Sequence, residues 1–128
     1  MTNEQEKQLL KSQQGELDAA LMYRALAAVA QDARDAAVFR RLAADEARHA
    51  KVFESLTQAV MIPKKKLSLL VPLLYRTLGR RRVYAVIADQ EQDAAKNYEA
   101  LAADFPAVKE VQADEVRHGN MVAALLEF

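Results

Sequence analysis

The chain has 128 residues, and its 18 lysines and arginines balance 18 aspartates and glutamates, so the formal net charge is zero. This length suits a single domain over residues 1–128, and the 52% hydrophobic content is enough for a buried core. The charge balance argues against a dedicated nucleic-acid-binding protein, and the lack of cysteine excludes disulfides and thiolate metal sites. Because glycine and proline are rare and alanine is abundant, the composition predicts an all-α fold.

Nothing in the sequence indicates export or insertion into a membrane. The N-terminal residues are polar, unlike those of a signal peptide. The longest apolar run, Leu67 to Leu74, contains a serine and a proline and is too short to span a bilayer. We therefore expect a cytoplasmic protein without a membrane span.

The predicted helices follow from apolar residues that recur every three or four positions, as in left-handed helix bundles. The four segments with this pattern run from Asn3 to Gln31, from Asp35 to Met61, from Arg80 to Asp104, and from Pro106 to near the end. Pro106 suits the first turn of a helix, where its missing N–H costs nothing. Four long helices in this order predict a helix bundle.

The segment Pro63–Gly79 lies between the second and third predicted helices. It is too long for a tight turn and too apolar for a free linker, so we expect a partly helical crossover whose leucines lie on the bundle. The flanking clusters Lys64–Lys66 and Arg80–Arg82 are interpreted as solvated turns or helix ends. An anionic membrane or partner surface is the alternative, which the zero net charge does not support. The apolar crossover also favours a homodimer.

The residues that could bind a metal ion or take part in a reaction occur in a pattern that repeats between the two halves of the chain. The pentad from Asp45 to His49 reads DEARH, and the pentad from Asp114 to His118 reads DEVRH. These pentads contain the only two histidines, each three residues after a glutamate. At that spacing the two side chains lie on one helix face, one turn apart, where both can reach the same metal ion.

Each predicted helix also places one glutamate in its apolar stripe, and these are Glu16, Glu46, Glu91 and Glu115. An ionised carboxylate buried without a partner costs roughly several kcal/mol, so four such groups need compensation. Two divalent cations would balance the four negative charges. Carboxylate and neutral imidazole are suitable ligands for Fe, Mn or Zn. The sequence therefore predicts a two-metal site formed by the four glutamates and the two histidines.

The order of one glutamate and then a Glu-x-x-His, repeated once, resembles the ferritin-like di-iron carboxylate proteins. The small size and the repeat of a tyrosine seven residues after a glutamate most resemble the rubrerythrin branch. The resemblance covers nearly the whole chain and implies a ferritin-like four-helix bundle of two antiparallel helix pairs joined by a long crossover. It implies two iron ions, although Mn or Zn is possible. The implied ligands are Glu16, Glu46, His49, Glu91, Glu115 and His118.

The same resemblance implies roles for these ligands. Glu46 and Glu115 would bridge the two metals, the other two glutamates would be terminal ligands, and each histidine would bind one metal. In related di-iron oxygenases the aspartate of the pentad holds the histidine of the opposite helix. The implied pairs are Asp45 with His118 and Asp114 with His49. A surface salt bridge to the arginine of each pentad explains these aspartates equally well.

Two tyrosines follow terminal glutamates at the same spacing, Tyr23 after Glu16 and Tyr98 after Glu91. We expect them to donate hydrogen bonds to ligand carboxylates. Aromatic residues in an apolar stripe are equally typical of an ordinary core.

The chain departs from typical rubrerythrins in two ways that concern the reaction. Ala94 stands where the family carries a further glutamate used in redox-linked ligand switching, and there is no four-cysteine rubredoxin domain. The expected electron source is therefore an external donor, such as a rubredoxin-like protein or a small reductant.

The function implied by the resemblance is that of a non-haem di-iron oxidoreductase in oxidative-stress defence. It would reduce hydrogen peroxide or react with dioxygen, as a homodimer. The main alternative is a ferroxidase that handles iron. A dimanganese catalase-like or substrate-oxidising enzyme and a non-enzymatic, metal-stabilised helical module are the other possibilities.

Overall fold

Long α-helices account for almost all of the chain in the computed structural model, which describes residues 1–128. The six helices are α1 (Asn3–Val29), α2 (Ala33–Thr57), α3 (Lys66–Leu78), α4 (Arg80–Asn97), α5 (Glu99–Asp104) and α6 (Pro106–Leu125). The predicted all-α class is confirmed. None of these helices combines the length and apolar character needed to cross a bilayer.

The helices pack as a ferritin-like bundle of two pairs. α1 packs along α2, α4 packs along α6, and α2 contacts α6 between the pairs. Only residues 30–32 separate α1 from α2, so these two helices run antiparallel. α3 belongs to the crossover between the pairs and contacts both α1 and α4.

Local sequence signals define the starts of the long helices. Thr2 and Gln5 form a capping box at the start of α1, in which each side chain binds the backbone amide of the other. Asp32 caps α2 by accepting hydrogen bonds from the amides of Arg34 and Asp35. Pro106 occupies the first turn of α6, as predicted.

The end of α2 differs from the prediction. The helix stops at Thr57, and Gln58 adopts a left-handed backbone conformation with φ of 57°. Gln13 of α1 is buried and holds this turn, because it accepts a 2.6 Å hydrogen bond from the Thr57 hydroxyl and donates one of 2.7 Å to the Ala59 carbonyl. Val60, which lies inside the predicted helix from Asp35 to Met61, is 89% exposed and follows the end of α2, so the prediction was wrong at this end.

The third predicted helix is divided in two. α4 ends at Asn97 and α5 begins at Glu99, with Tyr98 in a turn between them. The backbone N–H of Tyr98 still donates to the Ala94 carbonyl. The two helices therefore follow one another with a single residue between them.

The crossover is partly helical, as predicted, but most of its leucines do not lie on the bundle. Within α3 only Tyr75 is buried, while Val71 and Leu74 are half-buried against the core. Leu69 is 73% exposed and Leu73 is 56% exposed. The expectation that the leucines of this segment cover the bundle was therefore wrong for its outer face.

The buried apolar residues form two clusters on either side of a polar layer. One cluster has 14 residues and includes Tyr23 of α1 and Leu42 of α2. The other has seven residues and includes Leu9 of α1 and Phe53 of α2. The buried polar residues between these positions include Glu16 on α1 and Glu46 and His49 on α2, and apolar packing on both sides excludes water from them.

An ion pair between a buried aspartate and a partly exposed arginine joins the start of α2 to the start of α4. Asp35 is 0% exposed, and its carboxylate accepts hydrogen bonds from Arg80 Nε at 3.0 Å and from the Tyr84 hydroxyl at 2.8 Å. Arg80 also donates to the carbonyl of Leu125 at 2.8 Å. Arg80 is the first residue of α4, so it lies at a helix end as interpreted, but its guanidinium binds protein groups and is only partly exposed to solvent.

Candidate metal centre

Six acidic and imidazole side chains from four helices meet in the polar layer. Each of them is at most 6% exposed. They are Glu16 of α1, Glu46 and His49 of α2, Glu91 of α4, and Glu115 and His118 of α6. The structure thus brings together all the residues that the sequence predicts as metal ligands.

These side chains form two groups that share two members. The first group contains Glu16 and His49 together with Glu46 and Glu115, and the second contains Glu91 and His118 with the same two glutamates. Within each group, one ligand atom per residue lies within 4.8 Å of all the others. Two adjacent cation positions with two common carboxylates match this arrangement.

The Nδ1 atoms of the two histidines face the shared carboxylates. His49 Nδ1 lies 3.1 Å from Glu115 Oε1 and 3.3 Å from Glu46 Oε1. His118 Nδ1 lies 3.1 Å from Glu46 Oε1. The two imidazole rings are stacked with their centroids 5.8 Å apart. Each ring therefore directs one nitrogen toward the centre of the cluster.

The other nitrogen of each ring binds an aspartate from the opposite pentad. His49 Nε2 lies 2.7 Å from Asp114 Oδ2, and His118 Nε2 lies 2.8 Å from Asp45 Oδ2. Arg48 also contacts both aspartates, at 2.8 and 3.0 Å. Each aspartate thus contacts both a histidine and an arginine, so the two explanations considered from the sequence coexist.

The protonation of Asp114 determines which nitrogen of His49 is available. Burial acts to raise the pKa of Asp114, but hydrogen bonds from His49, Arg48 and Arg117 outweigh it and lower the pKa to about 2. Asp114 is therefore a carboxylate and accepts a hydrogen bond from His49 Nε2. The Nδ1 lone pair of a neutral His49 is then free to bind a metal ion.

Five buried atoms of the cluster have no hydrogen-bond partner, namely Glu46 Oε1, Glu91 Oε2, Glu115 Oε1, His49 Nδ1 and His118 Nδ1. Buried polar atoms in proteins are almost always paired, so a cluster of unpaired ones requires an explanation. All five are carboxylate oxygens or imidazole nitrogens, which are the donors that divalent Fe, Mn and Zn accept. The residues present therefore fit two divalent metal ions.

Two tyrosines contact the glutamates that belong to only one of the two groups, Glu16 and Glu91. The Tyr23 hydroxyl donates to Glu91 Oε1, and the Tyr98 hydroxyl donates to Glu16 Oε1 at 3.3 Å. Burial raises the pKa of both phenols, so both remain protonated donors. Tyr23 also stacks on Phe39 with a centroid distance of 5.9 Å, so it serves the core as well.

Comparison with known proteins agrees with this geometry. The Rubrerythrin family model matches residues 7–126, a range that contains all six clustered residues. The chain belongs to the rubrerythrin family. Comparisons with curated proteins and with solved structures gave no match. The resemblance inferred from the paired Glu-x-x-His motifs is confirmed, and the family indicates a redox protein with a metal site.

A cleft lies beside the rubrerythrin-type cluster. It has a volume of about 620 Å³ and lies between α1 and the α4–α5 region. Its lining includes Gln8, Ser12, Ala94 and Tyr98, and the last of these contacts Glu16. Gln8 and Ser12 belong to no motif, so only the meeting of distant helices identifies them as cleft residues.

Metal removal should make the stability of this chain fall as the pH rises. Burial, and after it neighbouring carboxylates, raise the pKa of Glu16, and burial raises the pKa of Glu115 to about 8. Burial acts to lower the pKa of His118, but the neighbouring carboxylates outweigh this effect and raise the pKa to about 10. Groups whose pKa is raised on folding stabilise the protein below their unfolded pKa and lose this contribution as the pH passes the folded value.

We therefore expect the free energy of unfolding of the metal-free protein to decrease between about pH 5 and pH 9. Urea unfolding followed by circular dichroism measures it. In the acidic part of this pH range, the free energy of unfolding of the metal-loaded protein should instead increase with pH, because metal binding requires deprotonated ligands. Stability of the metal-free protein that rises across this range would contradict the prediction.

Proposed function

We propose that this rubrerythrin-family chain is a non-haem di-iron oxidoreductase that reduces hydrogen peroxide, or reacts with dioxygen, in oxidative-stress defence. Its electrons would come from an external donor such as a rubredoxin-like protein. The observation that carries the proposal is the pair of buried ligand groups that share Glu46 and Glu115. Such a pair would hold two metal ions close enough together for a small oxidant to react with both.

The proposed ligand roles follow from this sharing. Glu46 and Glu115 would bridge the two ions, because they are the two residues common to both groups. Glu16 and Glu91 would be terminal ligands, since each is present in one group. Each histidine would bind one ion through the Nδ1 atom that lacks a hydrogen-bond partner. Asp45 and Asp114 are positioning residues, because their hydrogen bonds to Nε2 fix the tautomer and orientation of each ring.

With two ferrous ions bound, this site would supply the two electrons that, with two protons, convert hydrogen peroxide to two molecules of water. The protein side chains have separate tasks. The Tyr23 and Tyr98 hydroxyls keep the terminal carboxylates oriented and retain their protons because burial raises the pKa of both phenols. The two apolar clusters on either side exclude bulk water from the polar layer.

The cleft between α1 and α4–α5 supports access for a small oxidant. It extends to Tyr98, whose hydroxyl contacts the terminal glutamate Glu16. Ala94, which replaces the further glutamate of typical rubrerythrins, lines the same cleft with a methyl group only. An added side-chain carbon at Gly15, also in the lining, would meet no atom within 4 Å. A molecule the size of peroxide has room in this space.

A ferroxidase is the second candidate, and the polarity of the same cleft favours it. Glu4 and Asp104 lie in its lining together with the amides of Gln5 and Gln8. Oxygen donors of this kind suit passage of hydrated ferrous ions. In a ferroxidase the incoming iron is itself the reductant, so a separate electron donor is not required.

Rapid mixing of the iron-loaded protein distinguishes these functions. Metal-free protein is loaded anaerobically with ferrous iron and mixed with hydrogen peroxide or with dioxygen, and the ferric absorbance is followed. We expect two irons per chain, oxidised much faster by peroxide than by dioxygen. A parallel sample of ferrous iron in buffer without protein gives the background rate.

The other functions give different results in this experiment. Fast oxidation by dioxygen with continued turnover of excess ferrous iron would identify the ferroxidase. Bound iron that neither oxidant converts to ferric iron would contradict both proposals and favour a metal-stabilised module. Failure to bind iron while binding manganese would favour the dimanganese alternative.

A further inference from the structure

The charged residues are distributed unevenly along the chain, although its net charge is zero. From Ser55 to Ala88 there are seven lysines and arginines and no aspartate or glutamate. The remaining residues contain 11 lysines and arginines against 18 acidic residues. One continuous segment, which contains α3 and its flanks, is therefore strongly basic while the rest of the chain is acidic.

Most of these cations are available for an external partner. Arg80 is the exception, because it pairs with the buried Asp35. The other six are exposed, and none of them forms an ion pair within 4.0 Å in the structure. They are Lys64, Lys65, Lys66, Arg76, Arg81 and Arg82. Clusters of unpaired cations are typical of surfaces that bind anionic groups.

An apolar stripe lies among these cations on the outer face of α3. Leu69, Leu70 and Leu73 are 73%, 40% and 56% exposed, and helical spacing places them on one face. Lys66 and Arg76 lie on the same face, three residues before the first leucine and three residues after the last. Tyr75, on the inner face, packs against the core. α3 is thus apolar on both faces, although only the inner one is covered by the bundle.

We propose that α3 and its basic flanks form a docking surface for an anionic lipid bilayer, on which α3 lies parallel to the membrane plane. The outer leucines enter the boundary between headgroups and acyl chains, while the lysines and arginines contact lipid phosphates. Val60 and Ile62, which are 89% and 81% exposed just before α3, extend the apolar part of this surface. The 13 residues of α3 are too few to span a bilayer.

Charge favours a bilayer over a second copy of the chain as the occupant. In a twofold-symmetric dimer the same patch contacts itself, so the basic groups of one copy would meet those of the other. The segment from Ser55 to Ala88 has no acidic residue that could neutralise them. An anionic bilayer supplies both the negative charge and the apolar environment that this surface needs. The expected homodimer through the crossover is therefore the competing arrangement.

Flotation with lipid vesicles tests the proposal. Full-length protein is mixed with vesicles of phosphatidylcholine alone or of phosphatidylcholine with phosphatidylglycerol, at low and at high salt. We expect binding to the anionic vesicles at low salt, weaker binding at high salt, and no binding to the neutral vesicles. Absence of binding to anionic vesicles at low salt would overturn the proposal.

Surface variants show whether the proposed residues are responsible. Replacing Lys64, Lys65 and Lys66 by glutamate should weaken vesicle binding by roughly 100-fold. The matched control replaces three exposed lysines elsewhere by glutamate, namely Lys7, Lys51 and Lys109. This control should bind anionic vesicles much more strongly than the variant at Lys64, Lys65 and Lys66. The Leu69→Ser/Leu73→Ser variant should weaken binding by about tenfold or more. All substituted side chains are exposed, so folding should be preserved.

Two further measurements separate insertion from simple adsorption and from dimerisation. The chain has no tryptophan, so Leu70→Trp gives a single reporter whose emission should shift to the blue when anionic vesicles are added. No shift, or binding unaffected by the leucine substitutions, would overturn the proposal. Sedimentation without lipid is the second measurement. A dimer that Leu69→Ser/Leu73→Ser dissociates, together with no vesicle binding, would assign the surface to a second copy.

Discussion

Replacing Glu46 or Glu115 by alanine is expected to remove most of the bound metal while leaving the helix content high. Each of these glutamates belongs to both ligand groups, so one substitution removes a donor from both metal positions. In the metal-free state the change also removes a carboxylate that is at most 2% exposed and carries an unpaired oxygen. Its loss relieves a desolvation cost, so the bundle should still fold.

Metal per chain after loading, measured by plasma mass spectrometry, and circular dichroism together check this expectation. Glu110→Ala is the matched control, because Glu110 lies on α6 with Glu115 but is exposed. Metal should raise the unfolding temperature of the wild type and of the control, but not that of the bridging variants. Unchanged metal content in both bridging variants would refute the assignment.

Arg80→Leu is expected to destabilise the metal-free protein by roughly 3–5 kcal/mol. The substitution leaves the Asp35 carboxylate without its cationic partner at a position that is 0% exposed. The Tyr84 hydroxyl would then be the remaining side-chain donor to Asp35. The hydrogen bond from Arg80 to the carbonyl of Leu125, which joins α4 to the end of α6, is lost as well.

Urea unfolding of the metal-free variants measures this effect without interference from the metal site. Arg82→Leu is the control, because Arg82 is exposed and forms no ion pair. We expect the Arg82 variant to lie within about 0.5 kcal/mol of the wild type. The double variant Asp35→Asn/Arg80→Leu should recover part of the loss, since it no longer buries an uncompensated charge. Equal effects of the two arginine substitutions would show that the buried pair is unimportant.

The arrangement of the candidate site follows closely from local rules. A histidine three residues after a glutamate lies on the same face of any helix, so Glu46 with His49 and Glu115 with His118 are local pairs. The apolar residues around them place this face in the core. Glu16 and Glu91 have no histidine on their own helices and are brought to the same layer because these helices repeat the apolar stripe. The assignment of individual ligand roles remains a prediction that the metal measurements test.

Other features depend on contacts between residues far apart in the chain. Asp35 and Arg80 are 45 positions apart, and no local pattern indicates that they pair. The end of α2 is determined by Gln13 on another helix, which binds Thr57 and the backbone beyond it. The apolar pattern of the sequence continues beyond this turn, so the predicted helix extended past Thr57 and included Val60, which is exposed to solvent.

For the crossover, the local sequence predicts the helix but not which of its side chains are buried. Its sequence correctly predicted a helix, because leucine-rich segments bounded by charged residues favour one. Sequence periodicity alone did not indicate which leucines the bundle covers, since α3 is apolar on both faces. The sequence by itself thus determined the all-α fold, the approximate ranges of the long helices and the four-glutamate, two-histidine pattern, because these depend on residues within a few positions of each other. Only the tertiary structure decided the buried Asp35–Arg80 pair, the cleft and the exposed face of α3, because packing between distant helices determines which side chains are removed from water.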